Sequence, residues 1–321
     1  MKCNFIVCCL VFLLLSCQQE TCCDNPEETE QINFPGPEEF ENLRSLACDM
    51  LVQEHIFMAE EGTQFTSEEG VVIQVFQNCF TFEDGSPVVG EVTLRFIEIY
   101  QRADMLLCNK TTLGLNNFGS KQQLITAGIF LVEFYQNNQK LQNHCEVLLA
   151  VPVENSGGAQ QEMMVWSGET TPNHSLLWQT ESSAFVFVEA ERYQTFVVGL
   201  NGWISIAKLP PPTNSKTTVQ VLVSRDYHFE NAAVYLAYSG QKYGLSHLDV
   251  YDINTHTFDE FYNEIPVGEN IHLIFVTADD DQWRYQITSF EITESQIIPM
   301  LYGTTQKISQ AELKAILNQL D

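Results

Sequence analysis

The chain has 321 residues, 45% of them hydrophobic, which is enough to bury a sizeable core and to fill two domains or one large all-β unit. Its 42 Asp and Glu against 15 Lys and Arg give a formal net charge of -27. Such a field repels phosphate backbones and anionic lipid surfaces, which argues against nucleic-acid binding and against a basic membrane-docking face.

At the start, Met1-Lys2-Cys3-Asn4 leads into an apolar run over 5–15 that ends at Ser16-Cys17-Gln18. A charged beginning, an apolar core and a small residue at the cut site are the layout of an export signal. The run is shorter than the roughly 20 apolar residues a helix needs to cross a bilayer, so it reads as a signal and not an anchor helix. Leu14-Leu15-Ser16-Cys17 resembles the bacterial lipobox, which implies cleavage before Cys17 and lipid on the Cys17 thiol; two or more acyl chains suffice for stable anchoring. Residues 1–16 are therefore expected to be a lipoprotein signal peptide. Residues 17–37, polar and acidic up to Phe34-Pro35-Gly36-Pro37, are expected to form a flexible tether. The acidic run behind Cys17 resembles the surface-export signal of lipoproteins from Bacteroidetes-type bacteria, although it lacks Lys. That resemblance implies an outer-membrane lipoprotein exposed at the cell surface, with the membrane as a partner through its lipid.

Once the signal and Cys17 are set aside, Cys22, Cys23, Cys48, Cys79, Cys108 and Cys145 remain, an even number in an exported chain. Disulfides and small buried apolar thiols are both open readings, and spacing does not fix any pairing. No Cys-x-x-Cys or Cys/His spacing supports a zinc site.

Next along the chain, Phe40, Leu43, Ala47, Met50 and Leu51 recur at helical spacing behind Glu38 and Glu39, which predicts an amphipathic helix with acidic residues at its positive end. Runs rich in β-branched and aromatic residues follow at 56–59, 71–76, 91–98, 129–135 and 146–151. Turn signals separate them at Asp84-Gly85, at Asn116-Asn117-Phe118-Gly119 and at Asn137-Asn138. The small polar stretch 155–161 reads as a boundary. Beyond it β runs resume at 163–166, 183–189, 195–200, 203–206, 218–223, 233–237 and 248–251, with a last pair, 271–277 and 283–288, flanking Asp279-Asp280-Asp281. Ser309-Gln310-Ala311-Glu312 has capping-box spacing ahead of Leu313, Ile316, Leu317 and Leu320, which predicts a C-terminal helix. The expected fold is mainly β. Two antiparallel β-sandwich-like domains, 38–153 and 163–321, are joined by a linker over 154–162, with a short helix at each end.

The segment Phe80 to Leu94 with its Asp84-Gly85 turn, then Glu98, Asp104-Met105 and Leu124-Ile125-Thr126-Ala127-Gly128, resembles a pattern in uncharacterised surface lipoproteins of Bacteroidetes. Those domains are similar to ZU5-like and carboxypeptidase-regulatory-like β-sandwiches, and the likeness covers roughly 56–153. Gly199-Leu200-Asn201-Gly202-Trp203 resembles a Gly-Trp segment of the same lipoproteins. Ile204-Ser205-Ile206-Ala207 stands where Asn and Asp usually follow. The resemblance implies a sandwich fold and a cell-surface location, and it carries no catalytic residues.

The sequence contains no Gly-x-Ser-x-Gly, His-Glu-x-x-His, P-loop or dinucleotide glycine pattern. His228, His247 and His256, near Asp226, Asp249 and Asp252, are the residue types for a metal or an acid/base pair, or else polar strand ends. Asp252-Ile253-Asn254-Thr255-His256 begins like a calcium loop but lacks its turn glycine. Asp279, Asp280 and Asp281 suit either weak calcium binding or a solvated hairpin tip. Trp166, Trp178, Trp203 and Trp283 suit sugar stacking or core packing. The expectation is a lipid-anchored, non-enzymatic binding or structural module of the cell envelope, with no cofactor or metal and a protein or glycan partner at the surface. The alternatives are a glycan- or nutrient-capturing lipoprotein and a carboxylate-based hydrolase.

Overall fold

In this computed structural model the described residues are 34–320 apart from 214, 261 and 295. The expected signal peptide, Cys17, Cys22 and Cys23, and the tether as far as residue 33 lie outside them. The first helix, α1, runs Pro37–Asp49. Pro37 fits its first turn, where the missing N–H has no helical partner anyway, and the stripe Phe40, Leu43, Arg44 and Ala47 is buried. A second helix, α2 (Arg102–Leu107), escapes the periodicity reading because it has less than two turns. The third, α3 (Gln310–Gln319), carries the expected capping box: the Glu312 backbone N–H donates to the Ser309 hydroxyl, and the Ser309 N–H donates back to the Glu312 carboxylate.

Strands make up 48% of the described residues and helices 13%, so the fold is mainly β, as the alternating runs predict. A nine-stranded sheet has the order Gln53–Met58, Glu91–Ile99, Ile125–Gln136, Gly202–Lys208, Met164–Thr170, Leu176–Thr180, Leu113–Leu115, Lys121–Gln123, with Gln139–Lys140 added beside Ile125–Gln136. Facing it is a five-stranded sheet of Phe187–Glu189, Arg192–Val198, Glu146–Pro152, Val72–Val75 and Thr63–Thr66. A second pair of sheets follows. One has four strands, Val250–Asp252, Thr257–Asp259, Val219–Val223 and Gln296–Met300. The other has five, Ser246–His247, Ala232–Tyr238, Asn270–Asp279, Gln282–Glu291 and Gln306–Ile308. Among the described residues, pairing is antiparallel except for two parallel contacts, Trp178 with Gly114 and Val219–Val223 with Gln296–Met300.

Side-chain alternation stacks these sheets in layers. Along Ile125–Gln136, Ala127, Phe130, Val132 and Phe134 enter the core shared with the first five-stranded sheet, while Ile129 and Leu131 enter a different core on the opposite face. Along Ala232–Tyr238, Val234 and Leu236 face the four-stranded sheet, whereas Ala233, Tyr235 and Ala237 face that same middle core. A strand of period two that is apolar at every position must be covered on both sides. The middle core joins the two sandwiches, and α1, α2 and α3 contribute to it through Phe40, Leu106 and Leu317.

The boundary expected at 154–162 does not divide the fold. Strands on either side of it pair directly: Gly202–Lys208 lies against Ile125–Gln136, and Arg192–Val198 against Glu146–Pro152. The segment likened to a ZU5-like domain therefore supplies only part of two sheets that later strands complete. The small residues there serve a local turn: Gly157 (φ 79°) and Gly158 (φ 112°) take left-handed backbone after a short 3-10 helix, Val153–Ser156. The break between the sandwiches falls at Pro210-Pro211-Pro212, where three residues without an N–H cannot join a sheet ladder.

Two hairpins follow the turn chemistry of their residues. Asn137 (φ 51°) and Asn138 (φ 62°) connect Gln136 to Gln139, and Asp280 (φ 49°) and Asp281 (φ 60°) connect Asp279 to Gln282. Both central residues have positive φ, the requirement of a type I′ turn, and Asn and Asp tolerate it best after glycine.

Candidate functional site

A cleft with convergent polar groups lies where the end of α1, the end of strand Glu91–Ile99, α2 and α3 meet. It has a volume of about 380 Å3. Glu68, Glu69, Glu98, Asp104 and Glu154 line it, against the single ammonium of Lys314. Lys314 is already engaged with Asp104 at 2.6 Å.

Glu98 anchors the floor. Its carboxylate accepts from Gln53 Nε2 (2.9 Å), Ser67 Oγ (2.9 Å), the Glu69 backbone N–H (3.0 Å) and the Tyr100 hydroxyl (3.3 Å). Four donors fix both oxygens and hold the 67–69 loop against the strand. Burial, with the Glu98 charge close by, pushes the Tyr100 hydroxyl well above the usual tyrosine range, so Tyr100 stays a neutral donor. Glu68, Glu69 and Glu154 stand at the rim of this rigid floor. What the arrangement can do is hold positive charge by carboxylates around a concave wall.

A second cluster lies in the seam between the sandwiches. Gln123 Nε2, His247 Nε2 and Glu260 Oε1 are buried there without a hydrogen-bond partner, and all three residues line a cavity of about 20 Å3, the room that one water takes. His247 stacks on Tyr235 with ring centres 5.0 Å apart. Beside it, Lys121 Nζ donates to Asp249 Oδ2 (2.5 Å) and to the Tyr262 hydroxyl (2.8 Å), and that hydroxyl donates to Asp249 Oδ1 (2.5 Å). Burial pushes Glu260 up to about 7 and His247 down to about 4. The chamber holds perturbed groups of the kind found in active sites, but its volume excludes any substrate larger than water.

These two shifts act on stability with opposite signs. Unfolded Glu260 ionises near 4.5 and folded Glu260 near 7, so its contribution is complete below pH 4.5 and is lost as pH rises through 7. Unfolded His247 gains its proton near 6.5 and folded His247 near 4, so its contribution is complete above 6.5 and is lost as pH falls through 4. We expect Glu260→Gln to abolish the alkaline loss, so that the urea midpoint at about pH 8 rises toward the one at about pH 5 and the gap seen in the wild type narrows. A variant with the wild-type pH profile would show that Glu260 ionises freely in the fold.

The other sequence candidates separate. His247 and Asp249 share the seam, whereas His228 and His256 lie elsewhere. His228 Nδ1 accepts from the Glu230 N–H, and His256 Nδ1 meets the Tyr251 hydroxyl at 3.3 Å. Asp226 gives its backbone carbonyl to Asn231. Asp252 closes an Asx turn by accepting from the Asn254 backbone and side chain, which lowers its pKa. Asp279 is bridged to Arg284 and Lys307, and Asp280 to Lys307, so that tip is an ion-paired hairpin. Among the described residues no group of three or more His, Cys, Asp or Glu is placed to hold a metal ion.

Trp166, Trp178 and Trp283 are buried core residues. Trp203 is half-buried, with Lys110 Nζ 5.5 Å from its ring centre. Trp178, Gly168 and Trp203 lie in register across three strands, and a Cβ on Gly168 would come within 2.8 Å of the Trp178 ring. Gly168 is the small residue that lets the two indoles pack side by side.

Comparison with protein-family models and with curated proteins returns no match.

Sequence reasoning missed the cleft, because its five carboxylates sit on four separate segments. Glu98 carried a faint signal as a charged residue between Ile97 and Ile99 near the end of its strand. Of the cysteines, Cys79 and Cys145 form a disulfide with Cα atoms 5.3 Å apart, and Cys48 and Cys108 are free thiols.

Proposed function

We propose that this chain is an exported, lipid-anchored protein of the bacterial cell envelope, held through Cys17, exposed at the outer surface and non-enzymatic, whose cleft receives a cationic group. The cleft carries this reading: five carboxylates against one ion-paired ammonium line a concavity of about 380 Å3, on a floor fixed by the four hydrogen bonds to Glu98. Export is supported by the leader segment and by the disulfide Cys79–Cys145, a bond that persists in oxidising compartments. No helix among the described residues is long and apolar enough to cross a membrane, and lipid on Cys17 would make one unnecessary for attachment. The glycan-capture alternative retains only the half-buried Trp203 as a stacking surface. The hydrolase alternative would rest on Glu260, which lines a chamber the size of one water.

Two measurements test the two halves. Protease added to intact cells is expected to remove the protein from the outer surface, and Cys17→Ala is expected to leave it in the soluble fraction. A protein shielded from protease, or membrane-bound without Cys17, would overturn the anchor. Spermidine is expected to raise the melting temperature of the folded part, and the double reversal Glu69→Lys/Glu154→Lys is expected to cut that shift at least several-fold. The control Glu189→Lys/Glu291→Lys makes the same change in net charge away from the cleft. Equal losses in both variants would reduce the effect to the general field of the chain and sink the cleft as a site.

A further inference from the structure

Cys48 lies near the C-terminal end of α1 and Cys108 caps the C-terminal end of α2. The sequence separates them by 60 positions, yet α1 and α2 pack together and both cysteines belong to the middle core. Cys108 is buried, whereas Cys48 is only partly covered. Their side chains are neighbours, each the leading influence on the other's ionisation. The Lys110 ammonium lies close to both sulfurs, and Arg95 is near Cys48.

We infer that Cys48 and Cys108 close a second disulfide in the exported protein, tying α1 to α2 across the floor of the middle core.

The inference rests on the export half of the proposed function, since a reducing compartment would keep the pair as thiols. The asymmetry of the two groups sets the order of events. The neighbouring Cys108, helped by Lys110 and Arg95, lowers the pKa of Cys48, while Cys48 and burial raise Cys108. The partly exposed Cys48 is thus the attacking thiolate and the buried Cys108 the resolving thiol. The oxidant is a protein disulfide of the thiol-oxidase class. The Cys48 thiolate attacks one of its sulfurs, the oxidant's S–S bond breaks, and a mixed disulfide and one oxidant thiolate result. Cys108 then loses its proton to solvent and attacks the Cys48 sulfur, expelling the second oxidant thiolate. Two cysteine thiols are oxidised by two electrons, and one disulfide of the oxidant is reduced to a dithiol.

Tryptic cleavage gives a direct readout. Cys108 falls in fragment 103–110, Cys48 and Cys79 in fragment 45–95, and Cys145 in fragment 141–192. The full chain is exported with its own leader in a Gram-negative host, trapped with acid and N-ethylmaleimide, digested without reduction and weighed. The expected result is that 103–110 is recovered only when joined to 45–95, which is itself joined to 141–192. Recovery of 103–110 as a maleimide adduct, with 45–95 still joined to 141–192, would overturn the second disulfide and leave export standing. Adducts on all three fragments would overturn both. In the single variants, Cys48 of Cys108→Ser is expected to label in the native protein, whereas Cys108 of Cys48→Ser is expected to label only in denaturant. Equal native labelling would remove the assigned order of attack.

Discussion

Replacing Cys79 and Cys145 together by alanine is expected to lower the stability of the folded part by about 4 kcal/mol, because the bond closes a loop of 66 residues in the unfolded chain. The size follows from chain entropy: the longer the loop, the more freedom the cross-link removes from the unfolded state. Cys79 precedes strand Phe80–Thr81, which pairs with Gln142–Asn143, and Cys145 precedes Glu146–Pro152, so the bond fastens this two-stranded ladder to the five-stranded sheet. Backbone hydrogen bonds flank it, from the His144 N–H to the Cys79 carbonyl and from the Gly199 N–H to the Cys145 carbonyl. Alanine is the better replacement, since Cys79 is only 1% exposed and a serine hydroxyl there would be desolvated. Urea unfolding of both proteins measures the difference, and the melting temperature should fall by roughly 10 °C. A loss of under about 1 kcal/mol would mean that the unfolded chain is already confined near this pair.

Trp178→Ala is expected to cost about 3–5 kcal/mol, the range for removing a large buried aromatic. The indole is fully buried in the middle core, and its Nε1–H donates to the Thr111 carbonyl at 2.6 Å. Truncation opens a cavity beside Gly114 and Gly168 and leaves the Thr111 carbonyl without its partner. Neighbouring strands cannot close that cavity, since their ladders fix the sheet spacing. Trp178→Phe fills most of the volume and is expected to lose about half as much. Equilibrium unfolding in urea checks both variants, and near-equal losses would show that the hydrogen bond outweighs packing at this site.

Much of the fold was legible because it depends on short-range pattern. The alternation in 91–98, 129–135 and 271–277 falls within Glu91–Ile99, Ile125–Gln136 and Asn270–Asp279, and the helices at both ends start where their capping and charge signals put them. Short strands such as Thr63–Thr66, Leu176–Thr180 and Thr257–Asp259 gave no readable run, and three further features were not legible for physical reasons. Helix α2 is too short to show a period. Strand Gln296–Met300 contains Pro299, which argues against a central strand, yet it lies at the edge of its sheet in parallel pairing. The glycine-rich stretch at 155–161 suggested a boundary because glycine marks both linkers and tight turns, and only strand pairing tells them apart.

The candidate sites divide along the same line. His247 and Asp249 were singled out by residue type, but their partners Lys121, Gln123 and Glu260 come from distant parts of the chain. Cys48 and Cys108 were recognised as members of an even set without any pairing. The four tryptophans were equally eligible as surface or core until the layers were known. A sheet with both faces covered absorbs Trp166 and Trp178 into a core that no local pattern announces.

By itself the sequence determined the mainly β fold, the terminal helices and the acidic charge, all of which follow from composition and periods of two or 3.6 residues. It also raised the expectation of export and lipid on Cys17. The tertiary structure decided where the two sandwiches part, which cysteines meet, which tryptophans are buried and where five carboxylates converge. These depend on contacts between residues far apart in the chain, and such contacts are set by how whole sheets pack, a quantity that no short window of sequence contains.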